Sequence, residues 1–412
     1  MARNIITALD VGTSTVQTVV AERKKGADGL RILGVGIAPA AGVRKGVVYD
    51  IGDATASIKE SVAEARRVTG VPIKSVWLTV GGANISVSSS RGVVAVSRAD
   101  GEISVEDARR AVAAAESFLP KSPNREVLHI IPRDFKVDGE AGIKDPVGMH
   151  GVRLEADTII IECSTPPLKN LLRCVENAGL NAVDYVFGPL AAAEAVLSKR
   201  QKELGVVLLD IGGGTASFIV FEEGMVIHAG VVPVGGNHIT NDIAIGFKTD
   251  IDVAEQVKTV YGSCLPADLS RRDSIKLADL MEGEEGSWSR RELAEIIQAR
   301  LGDVFELLQK ELKKIDRVQL LPAGVVLVGG SSMLPGILEL TKREVKLPVQ
   351  VGMPHEFIET LNEKIAPSLA AALGLIQWAD NFASGKKEGW STRKITSMRN
   401  SPWLKWLGSL LP

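Results

Sequence analysis

The sequence predicts an α/β protein with two or more domains, and three observations support that prediction. The chain has 412 residues, which is too long for one ordinary hydrophobic core. Short apolar runs typical of buried strands alternate with longer segments of helical spacing. The motif LDVGTST at residues 9–15 recurs as LDIGGGT at residues 209–215, so the protein contains two copies of one strand–turn–strand unit.

The N-terminal part has the pattern of strands followed by a helix. A segment of helical spacing covers residues 55–68, and Gly70 after it is typical of a helix C-terminus. The strands that we expect here are residues 5–9, 16–21, 32–38 and 76–80.

Residues 84–163 change in character and predict an inserted subdomain. Two alternating stretches, ISVSSSRGVVAVS and VLHIIPRDFKVDG, predict strands. Between them we expect a helix opened by Ser104, with Asp107 in the place that Glu or Gln takes in a capping box.

The second half is predicted to build a further sheet and a helical region. The expected elements are helices at 167–178 and 191–202, a strand within 181–189, strands at 206–210 and 324–328, and a helix-rich region at 238–316. That region includes an amphipathic stretch at 290–315. Residues 382–400 are polar and poor in apolar side chains, so we predict a flexible linker.

Composition and cysteine usage exclude several classes of protein. The net charge of −2 gives no global field that would attract nucleic acid. Cys163, Cys174 and Cys264 form no CxxC pair, which predicts reduced, mostly buried thiols. No apolar run approaches the ~20 residues of a spanning helix. Asp10 interrupts the apolar start too early for a signal peptide, so we expect the body in the cytoplasm.

The repeated motif predicts a phosphate-binding cleft. In each copy an apolar strand leads to an Asp and then to a turn rich in Gly, Ser or Thr. Such a turn lets successive backbone N–H groups converge on an anion. Asp10 and Asp210 stand where a carboxylate holds Mg²⁺ through its water shell. One such turn alone is most often a plain hairpin, but two matched copies indicate a nucleotide gripped from both sides.

A third element, VVLVGGSSMLPG at residues 325–336, combines a strand with a double glycine. Gly329 and Gly330 allow close approach of the backbone to a base or sugar, and we expect Ser331 to cap the next helix. An ordinary strand-to-helix turn is the competing interpretation. Other nucleotide folds fit poorly, since the chain has no GxxxxGK[ST], and GGGTAS at 212–217 lacks the third glycine of GxGxxG.

These three motifs, in this order, resemble the actin/chaperone/sugar-kinase ATPase superfamily. Within it the chain is similar to the FtsA family of division proteins over its whole length. The segment VLHIIPRDFKVDGEAGIKDPVGMHGVRLE at 127–155 resembles the inserted subdomain of that family, and GGNHITNDIAIGF at 235–247 is similar as well. The resemblance implies an actin-like two-domain fold with a nucleotide cleft, an FtsA-type inserted subdomain and a C-terminal amphipathic helix.

The resemblance implies ATP and Mg²⁺ as ligands. Without it, the pair Glu255 and Lys258 in DVAEQVK would be a solvated helical contact of about 0.3 kcal/mol; with it, the pair closes over ribose and base. The implied nucleotide residues are Gly12, Thr13, Ser14, Gly212, Gly213, Gly214, Thr215, Glu255, Lys258, Gly329, Gly330 and Ser331, with Asp10 and Asp210 reaching Mg²⁺ through water.

Two positions depart from the family pattern. Thr15 stands where many relatives carry a basic residue, so the phosphate charge is less well compensated. Gly188 stands before Pro189, where many hydrolysing relatives have a Glu that orients water. Glycine orients no water, so we expect no catalytic residue and at most weak ATPase activity.

The last twelve residues, SPWLKWLGSLLP at 401–412, predict an amphipathic membrane-targeting helix. Ser401 is a plausible N-cap and Pro402 suits the first turn. A helix of ~10 residues spans only about 15 Å, so it lies in the membrane surface and does not cross. The apolar face consists of Trp403, Leu404, Trp406, Leu407, Leu410 and Leu411. Docking back on the protein is the competing interpretation.

The resemblance also implies a subdomain plan and partners. Subdomain 1A would be 1–83 with 164–204 and 365–381, 1C would be 84–163, 2A would be 205–239 with 320–364, and 2B would be 240–319. Subdomain 2B would receive the C-terminal tail of FtsZ, with Arg290, Arg291 and Arg300 facing an acidic peptide. We further expect self-association into filaments, contact with an anionic membrane surface and with other division proteins, and a peripheral place on the cytoplasmic membrane face at the division site. The alternatives are a PilM-like pilus adaptor and a soluble kinase of the same superfamily.

Overall fold

The computed structural model describes residues 4–23, 29–117, 124–279, 286–354, 356–357 and 366–383. These residues divide into two compact units. The insert unit consists of described residues 88–117 and 127–160, and the main unit contains the rest. The insert unit falls inside the segment 84–163; the subdomain boundaries predicted within the main unit stay predictions.

The described residues form strands and helices in an order typical of α/β proteins. The strands are β1 (Asn4–Val11), β2 (Thr15–Arg23), β3 (Leu30–Pro39), β4 (Val43–Arg44), β5 (Val47–Val48), β6 (Ser75–Val80), β7 (Ile85–Ala95), β8 (Arg125–Val137), β9 (Glu140–Ile143), β10 (Arg153–Ser164), β11 (Asn181–Phe187), β12 (Val206–Ile211), β13 (Ala216–Glu222), β14 (Met225–Val232), β15 (Ser274–Lys276), β16 (Ser287–Ser289), β17 (Gly324–Val328) and β18 (Val349–Val351). The helices are α1 (Ile51–Thr69), α2 (Val105–Ser117), α3 (Thr165–Asn177), α4 (Gly188–Val196), α5 (Lys199–Leu204), α6 (Gly236–Phe247), α7 (Ile251–Tyr261), α8 (Arg290–Lys314), α9 (Ile337–Val345) and α10 (Ala370–Ala383).

The main unit contains two five-stranded sheets of similar plan. The first has the order β11-β6-β1-β2-β3 and the second has the order β14-β13-β12-β17-β18. In the first, β1 runs antiparallel to β2 and parallel to β6. In the second, β12 runs antiparallel to β13 and parallel to β17. The repeated motif therefore occupies the same place in both sheets.

Around the first sheet, helices pack closely on a strand and on each other at glycine positions. Helix α1 packs on β2 and β3, and a Cβ on Gly36 of β3 would lie 2.0 Å from the Ser61 carbonyl oxygen. Helix α10 packs against α4, where a Cβ on Gly374 would lie 1.8 Å from the Ala191 carbonyl oxygen. Only glycine permits these backbone approaches, so the positions of both helices are fixed by sequence.

The core of the second sheet is completed by the helices α6 to α9. Helix α8 buries one face, with Leu301, Phe305 and Leu308 all at most 1% exposed. Its Ser289 cap accepts a hydrogen bond from the backbone N–H of Glu292. The 25-residue helix confirms the amphipathic pattern at 290–315.

The insert unit has a four-stranded sheet of order β7-β10-β8-β9 and the helix α2. The predicted capping box is confirmed, because the Ser104 hydroxyl accepts from the Asp107 backbone N–H and the Asp107 carboxylate accepts from the Ser104 backbone N–H. Burial works to raise the pKa of Asp107, but hydrogen bonds from Ser104 and Arg110 outweigh it and lower the pKa. The cap is therefore a charged one.

Three local predictions are wrong. The helix expected at 191–202 is two helices, because Leu197 is extended and Ser198 caps α5 with a capping box. Ser331 lies in a short 3₁₀ turn, Gly330–Met333, and α9 is capped by Gly336. The linker predicted from residue 382 is wrong for its first two residues, since α10 continues to Ala383.

Residues 384–412, which contain most of the predicted linker and the whole amphipathic tail, lie outside the described residues. Within the described part of the chain, no helix is both long enough and apolar enough to span a membrane.

Candidate functional site

A cavity of about 580 Å³ lies in the main unit, between the turns of the two repeated motifs. The structure brings every residue predicted for the nucleotide and metal sites to its wall. They are Asp10, Gly12, Thr13, Ser14, Asp210, Gly212, Gly213, Gly214, Thr215, Glu255, Lys258, Gly329, Gly330 and Ser331.

Two β-hairpins build the facing walls. We call β1–β2 the first hairpin and β12–β13 the second hairpin. In both turns, a glycine N–H donates to a threonine carbonyl at 3.0 Å, from Gly12 to Thr15 and from Gly212 to Thr215. The equal geometry follows from the repeated sequence, and it directs both turns into the cavity.

The two aspartates at the strand ends lie close to each other at the cavity wall and are half-buried. Loss of hydration raises the pKa of Asp10, and a hydrogen bond from the Thr79 hydroxyl acts in the opposite direction. Loss of hydration, with the nearby charge of Asp10, raises the pKa of Asp210 to about 7. Neither carboxylate forms an ion pair with a described residue. Two half-buried carboxylates without a counter-charge suit a hard divalent cation such as Mg²⁺.

The donor set limits how such a cation would be held. Among the described residues, no group of three or more His, Cys, Asp or Glu side chains could hold a metal ion. A cation at Asp10 and Asp210 would therefore keep water molecules and take further oxygens from a bound ligand, as Mg²⁺ does when it accompanies phosphates. The residues present fit that arrangement.

Close contacts with neighbouring atoms require glycine at several positions of the cavity wall. A Cβ on Gly213 would lie 2.0 Å from the Ser14 hydroxyl oxygen, and a Cβ on Gly214 would lie 2.5 Å from the Thr13 hydroxyl oxygen. Gly329 has a φ of 85°, and a Cβ there would lie 2.4 Å from the Asp210 carboxylate. The cavity thus depends on bare backbone at these three positions.

Hydrogen bonds hold the turns to their surroundings. The Ser14 hydroxyl donates to the Asn237 side-chain oxygen at 2.8 Å, and the Gly46 N–H donates to the Thr13 hydroxyl at 2.9 Å. The start of α6 holds the second turn, because the Asn237 N–H donates to the Gly213 carbonyl at 2.7 Å. The turns are therefore preorganised by protein contacts.

The pair Glu255 and Lys258 is not the solvated contact that bare sequence suggests. Lys258 is only 7% exposed, and its Nζ donates to the Glu255 carboxylate at 2.6 Å, the Thr240 hydroxyl at 2.8 Å and the Gly236 carbonyl at 3.2 Å. The ammonium thus ties α7 to the start of α6 at the cavity wall.

The three predicted peptide-binding arginines lie elsewhere, and each is used within the chain. Arg300 makes a two-pronged contact with the Asp242 carboxylate at 2.6 and 3.0 Å. Arg291 contacts Glu295, and Arg290 donates to the Tyr261 carbonyl oxygen. A partner peptide would have to compete with these contacts, most of all at Arg300.

Several residues of the cavity wall were not foreseen. Thr79, Asn237, Ser217 and Gln17 all line it. Strand register was the missing signal for two of them, since Gln17 pairs with Asp10 and Ser217 pairs with Asp210. Opposed residues of an antiparallel pair share a face, so an alignment of each hairpin would have found both.

Family models match two parts of the chain. The model described as "Cell division protein FtsA" matches residues 207–374. The model described as "SHS2 domain inserted in FTSA" matches residues 82–162, which include the insert unit.

Relatives match over most of the chain. Cell division protein FtsA of Borreliella burgdorferi is 38% identical, over 91% of this chain and 91% of the relative. The Bacillus subtilis protein of that name is 37% identical, over 93% and 85%. The Escherichia coli K12 protein is 31% identical, over 99% and 98%.

Solved structures share the fold at low identity. The PilM-PilN type IV pilus biogenesis complex has a chain with a TM-score of 0.66 and 19% identity, covering 90% of this chain and 98% of that one. MreB5 of Spiroplasma citri bound to ADP has a TM-score of 0.53 and 13% identity, covering 93% and 99%. These matches confirm the actin-like fold predicted from sequence.

Proposed function

The chain belongs to the FtsA family of cell division proteins, and we propose that it binds Mg-ATP and tethers FtsZ filaments to the cytoplasmic face of the cell membrane. The observation that carries the nucleotide part is the cavity with two facing glycine turns and the half-buried pair Asp10 and Asp210. Backbone N–H groups in such turns bind phosphate oxygens, and the carboxylates hold the cation through water.

The adenosine would lie at the wall formed by the second sheet and its helices. Gly329, Gly330 and Ser331 line that wall together with Glu255 and Lys258. The buried ammonium of Lys258 keeps the wall ordered through its three acceptors. The actin-like MreB 5 of Spiroplasma citri is described with AMPPNP bound, and this supports the same ligand class here.

We propose that ATP is bound with little hydrolysis. Gly188 lines the cavity directly before Pro189, and no side chain there can orient a water molecule. A steady-state assay with Mg-ATP should therefore detect weak turnover at most. A robust Mg²⁺-dependent ATPase would overturn this part of the proposal without affecting the binding part.

The FtsZ tail is proposed to bind the region 240–319. This region exposes apolar side chains as well as cations, since Ile245 is 76% exposed and Val260 is 63% exposed. Among the described residues, Arg291 is paired with Glu295 on the same helix, and such surface pairs contribute little. Arg291 is therefore better able than Arg300 to exchange its partner for an acidic peptide.

Membrane attachment is proposed to depend on Trp403, Leu404, Trp406, Leu407, Leu410 and Leu411. Lys386, Lys387, Arg393, Lys394, Arg399 and Lys405 precede or join this segment. Each cation adds at most about 1 kcal/mol near an anionic leaflet, while each buried apolar side chain adds ~1.5–3 kcal/mol. Ordering the backbone costs ~1–2 kcal/mol per residue, so one tail binds reversibly and a filament of many tails binds firmly.

The test places fluorescent cognate FtsZ filaments and Mg-ATP above a supported bilayer containing anionic lipid. Three proteins are compared: the full chain, a chain ending at Asn400, and the full-length double variant Trp403→Glu and Trp406→Glu. The double variant is the matched control, because it keeps the length and the basic residues.

We expect the full chain to recruit FtsZ to the bilayer and the other two proteins not to recruit it. Recruitment by all three proteins would overturn the assignment of the membrane anchor. Binding of the full chain to lipid without FtsZ would overturn the FtsZ partnership. The pilus-adaptor alternative loses its sequence support, because the relatives at 31–38% identity are division proteins.

A further inference from the structure

The cavity contains one buried polar atom that the proposed contacts do not use. Gln17 is 5% exposed, and its Oε1 has no hydrogen-bond partner within the described residues. Its Nε2 lies 3.3 Å from the Thr15 hydroxyl oxygen. Buried side-chain polar atoms are nearly always paired. An unpaired one at a cavity wall therefore marks a place where a ligand, or a water held by a ligand, completes the pairing.

Strand register places Gln17 beside the cation site. Gln17 on β2 is directly opposite Asp10 on β1, so the two side chains share one face of the first sheet. Both line the cavity. On its other side Gln17 pairs with Ile37 of β3, which also lines the cavity and brings no charge. Gln17 is thus the neutral polar group next to the Asp10 carboxylate.

This end of the cavity is built from other elements than the proposed nucleoside wall. Glu255, Lys258 and Ser331 come from elements around the second sheet, whereas Gln17 and Asp10 belong to the first. A nucleotide whose base lies at the second-sheet wall would extend its phosphates towards the first hairpin. The last phosphate in the chain is the one that reaches furthest.

The Gln17 amide can form a hydrogen bond with either a water molecule or a phosphoryl oxygen at this end of the cavity. The Thr15 hydroxyl can donate or accept, so the amide keeps one anchored atom whichever way it is turned. In one orientation Oε1 accepts from a water molecule, and in the other Nε2 donates to a phosphoryl oxygen. A second carboxylate at this position would instead repel a phosphate.

We infer that Gln17 recognises the terminal phosphoryl group of a nucleoside triphosphate and so makes the protein distinguish ATP from ADP. This inference rests on the proposed nucleotide binding and adds the residue that reads phosphate number. The second hairpin supplies an internal comparison, because Ser217 stands opposite Asp210. Ser217 is 8% exposed, lines the cavity and has no unpaired buried atom among the described residues.

The experiment measures the affinities of the full-length protein for Mg-AMPPNP and Mg-ADP by isothermal titration calorimetry. AMPPNP replaces ATP so that turnover cannot disturb the comparison. The variant is Gln17→Met, which keeps the length of the side chain and removes its hydrogen-bonding atoms. Ser217→Ala is the matched control from the second hairpin.

We expect Gln17→Met to weaken AMPPNP binding by about ten- to a hundredfold, as for loss of a charge-assisted hydrogen bond, and to leave ADP binding unchanged. Ser217→Ala should leave the AMPPNP-to-ADP ratio unchanged. The melting temperature of nucleotide-free Gln17→Met should equal or exceed that of the wild type, because an unpaired buried acceptor has been removed. That measurement excludes misfolding as the cause.

Other outcomes overturn the inference in separable ways. Equal losses for both nucleotides would make Gln17 a general structural contact, and no loss for either would show that it touches no phosphate. A wild-type protein that binds neither nucleotide would refute the proposed nucleotide binding itself. Binding of both nucleotides by the wild type with an unchanged ratio in Gln17→Met refutes only the role of Gln17.

Discussion

The first and second hairpins have the same backbone and different side chains. Both place an aspartate at the end of a strand that lies between an antiparallel and a parallel neighbour. In the first, Thr79 of the parallel neighbour donates to Asp10. In the second, the parallel neighbour of Asp210 is Val328, which cannot donate. Asp10 therefore has a side-chain hydrogen-bond donor in its parallel neighbour strand, whereas Asp210 has no side-chain donor at the corresponding position.

The turns of the two hairpins also differ in their side chains. The first turn carries hydroxyls at Thr13 and Ser14, which bond to Gly46 and Asn237. The second turn is Gly212, Gly213 and Gly214. It approaches those hydroxyls so closely that a Cβ on Gly213 or Gly214 would lie only 2.0 or 2.5 Å from them. One turn supplies side-chain contacts and the other supplies bare backbone. A repeated motif has thus produced two complementary surfaces.

The largest effect should come from giving the second turn a side chain. Gly214→Val should lower the free energy of unfolding by about 2–3 kcal/mol and abolish nucleotide binding, because its Cβ would lie 2.8 and 2.9 Å from the Lys45 backbone. Gly81→Ala is the control, since Gly81 lines the same cavity and a Cβ there meets nothing within 4 Å. Urea unfolding and nucleotide titration measure both. Equal losses in the two variants would contradict the steric explanation.

The next effect should come from Asp210, whose half-buried carboxyl has a raised pKa of about 7. The folded state then keeps a proton that the unfolded state, with an Asp pKa of about 3.9, has released. Stability of the nucleotide-free protein should therefore fall as the pH rises from about 4 to 7. Asp210→Asn should flatten this fall in a thermal-unfolding series and weaken Mg-nucleotide binding by about tenfold or more. An unchanged slope would show that Asp210 is not the group responsible.

A smaller effect should follow when the first hairpin is made to resemble the second. Thr79→Val removes the hydroxyl that donates to Asp10 and leaves a buried acceptor unpaired, at a cost of about 1–3 kcal/mol. Thr79→Ser keeps the hydroxyl and serves as the control. Chemical denaturation of both variants at neutral pH measures the cost. If Thr79→Ser loses as much as Thr79→Val, packing of the methyl group and not the hydrogen bond is responsible.

The smallest effect should come from the contact between the first turn and α6. Ser14→Ala removes the 2.8 Å bond to Asn237, which is worth about 0.5–1.5 kcal/mol. A double-mutant cycle with Asn237→Ala isolates that bond from other effects. A coupling energy near zero would mean that the two turns are held in place without this hydrogen bond.

Much of the fold followed from local pattern. Strand β17 was predicted at its observed bounds, 324–328, and α1, α2 and α8 were predicted with their caps or apolar faces. The wrong predictions lie at positions where a local cap or a turn selects between two similar backbone conformations. Ser198 offers the backbone a capping box and so divides one apparent helix into α4 and α5. Ser331 lies in a 3₁₀ turn because the glycines around it favour a loop before α9.

The sequence by itself determined that the turns of the two repeated motifs meet at the cavity, because two copies of one motif must build two similar hairpins. It also predicted the family, through motifs spread along the whole chain. These are properties of local pattern and order, and they need no coordinates.

The tertiary structure alone decided what each residue at the cavity touches. Burial of Lys258, the Thr79 donor to Asp10 and the unpaired amide oxygen of Gln17 all depend on neighbours that are distant in sequence or opposite in register. Such contacts are set by the packing of whole elements. A linear pattern contains the residues but not the distances between them, and those distances determine the electrostatics of the site.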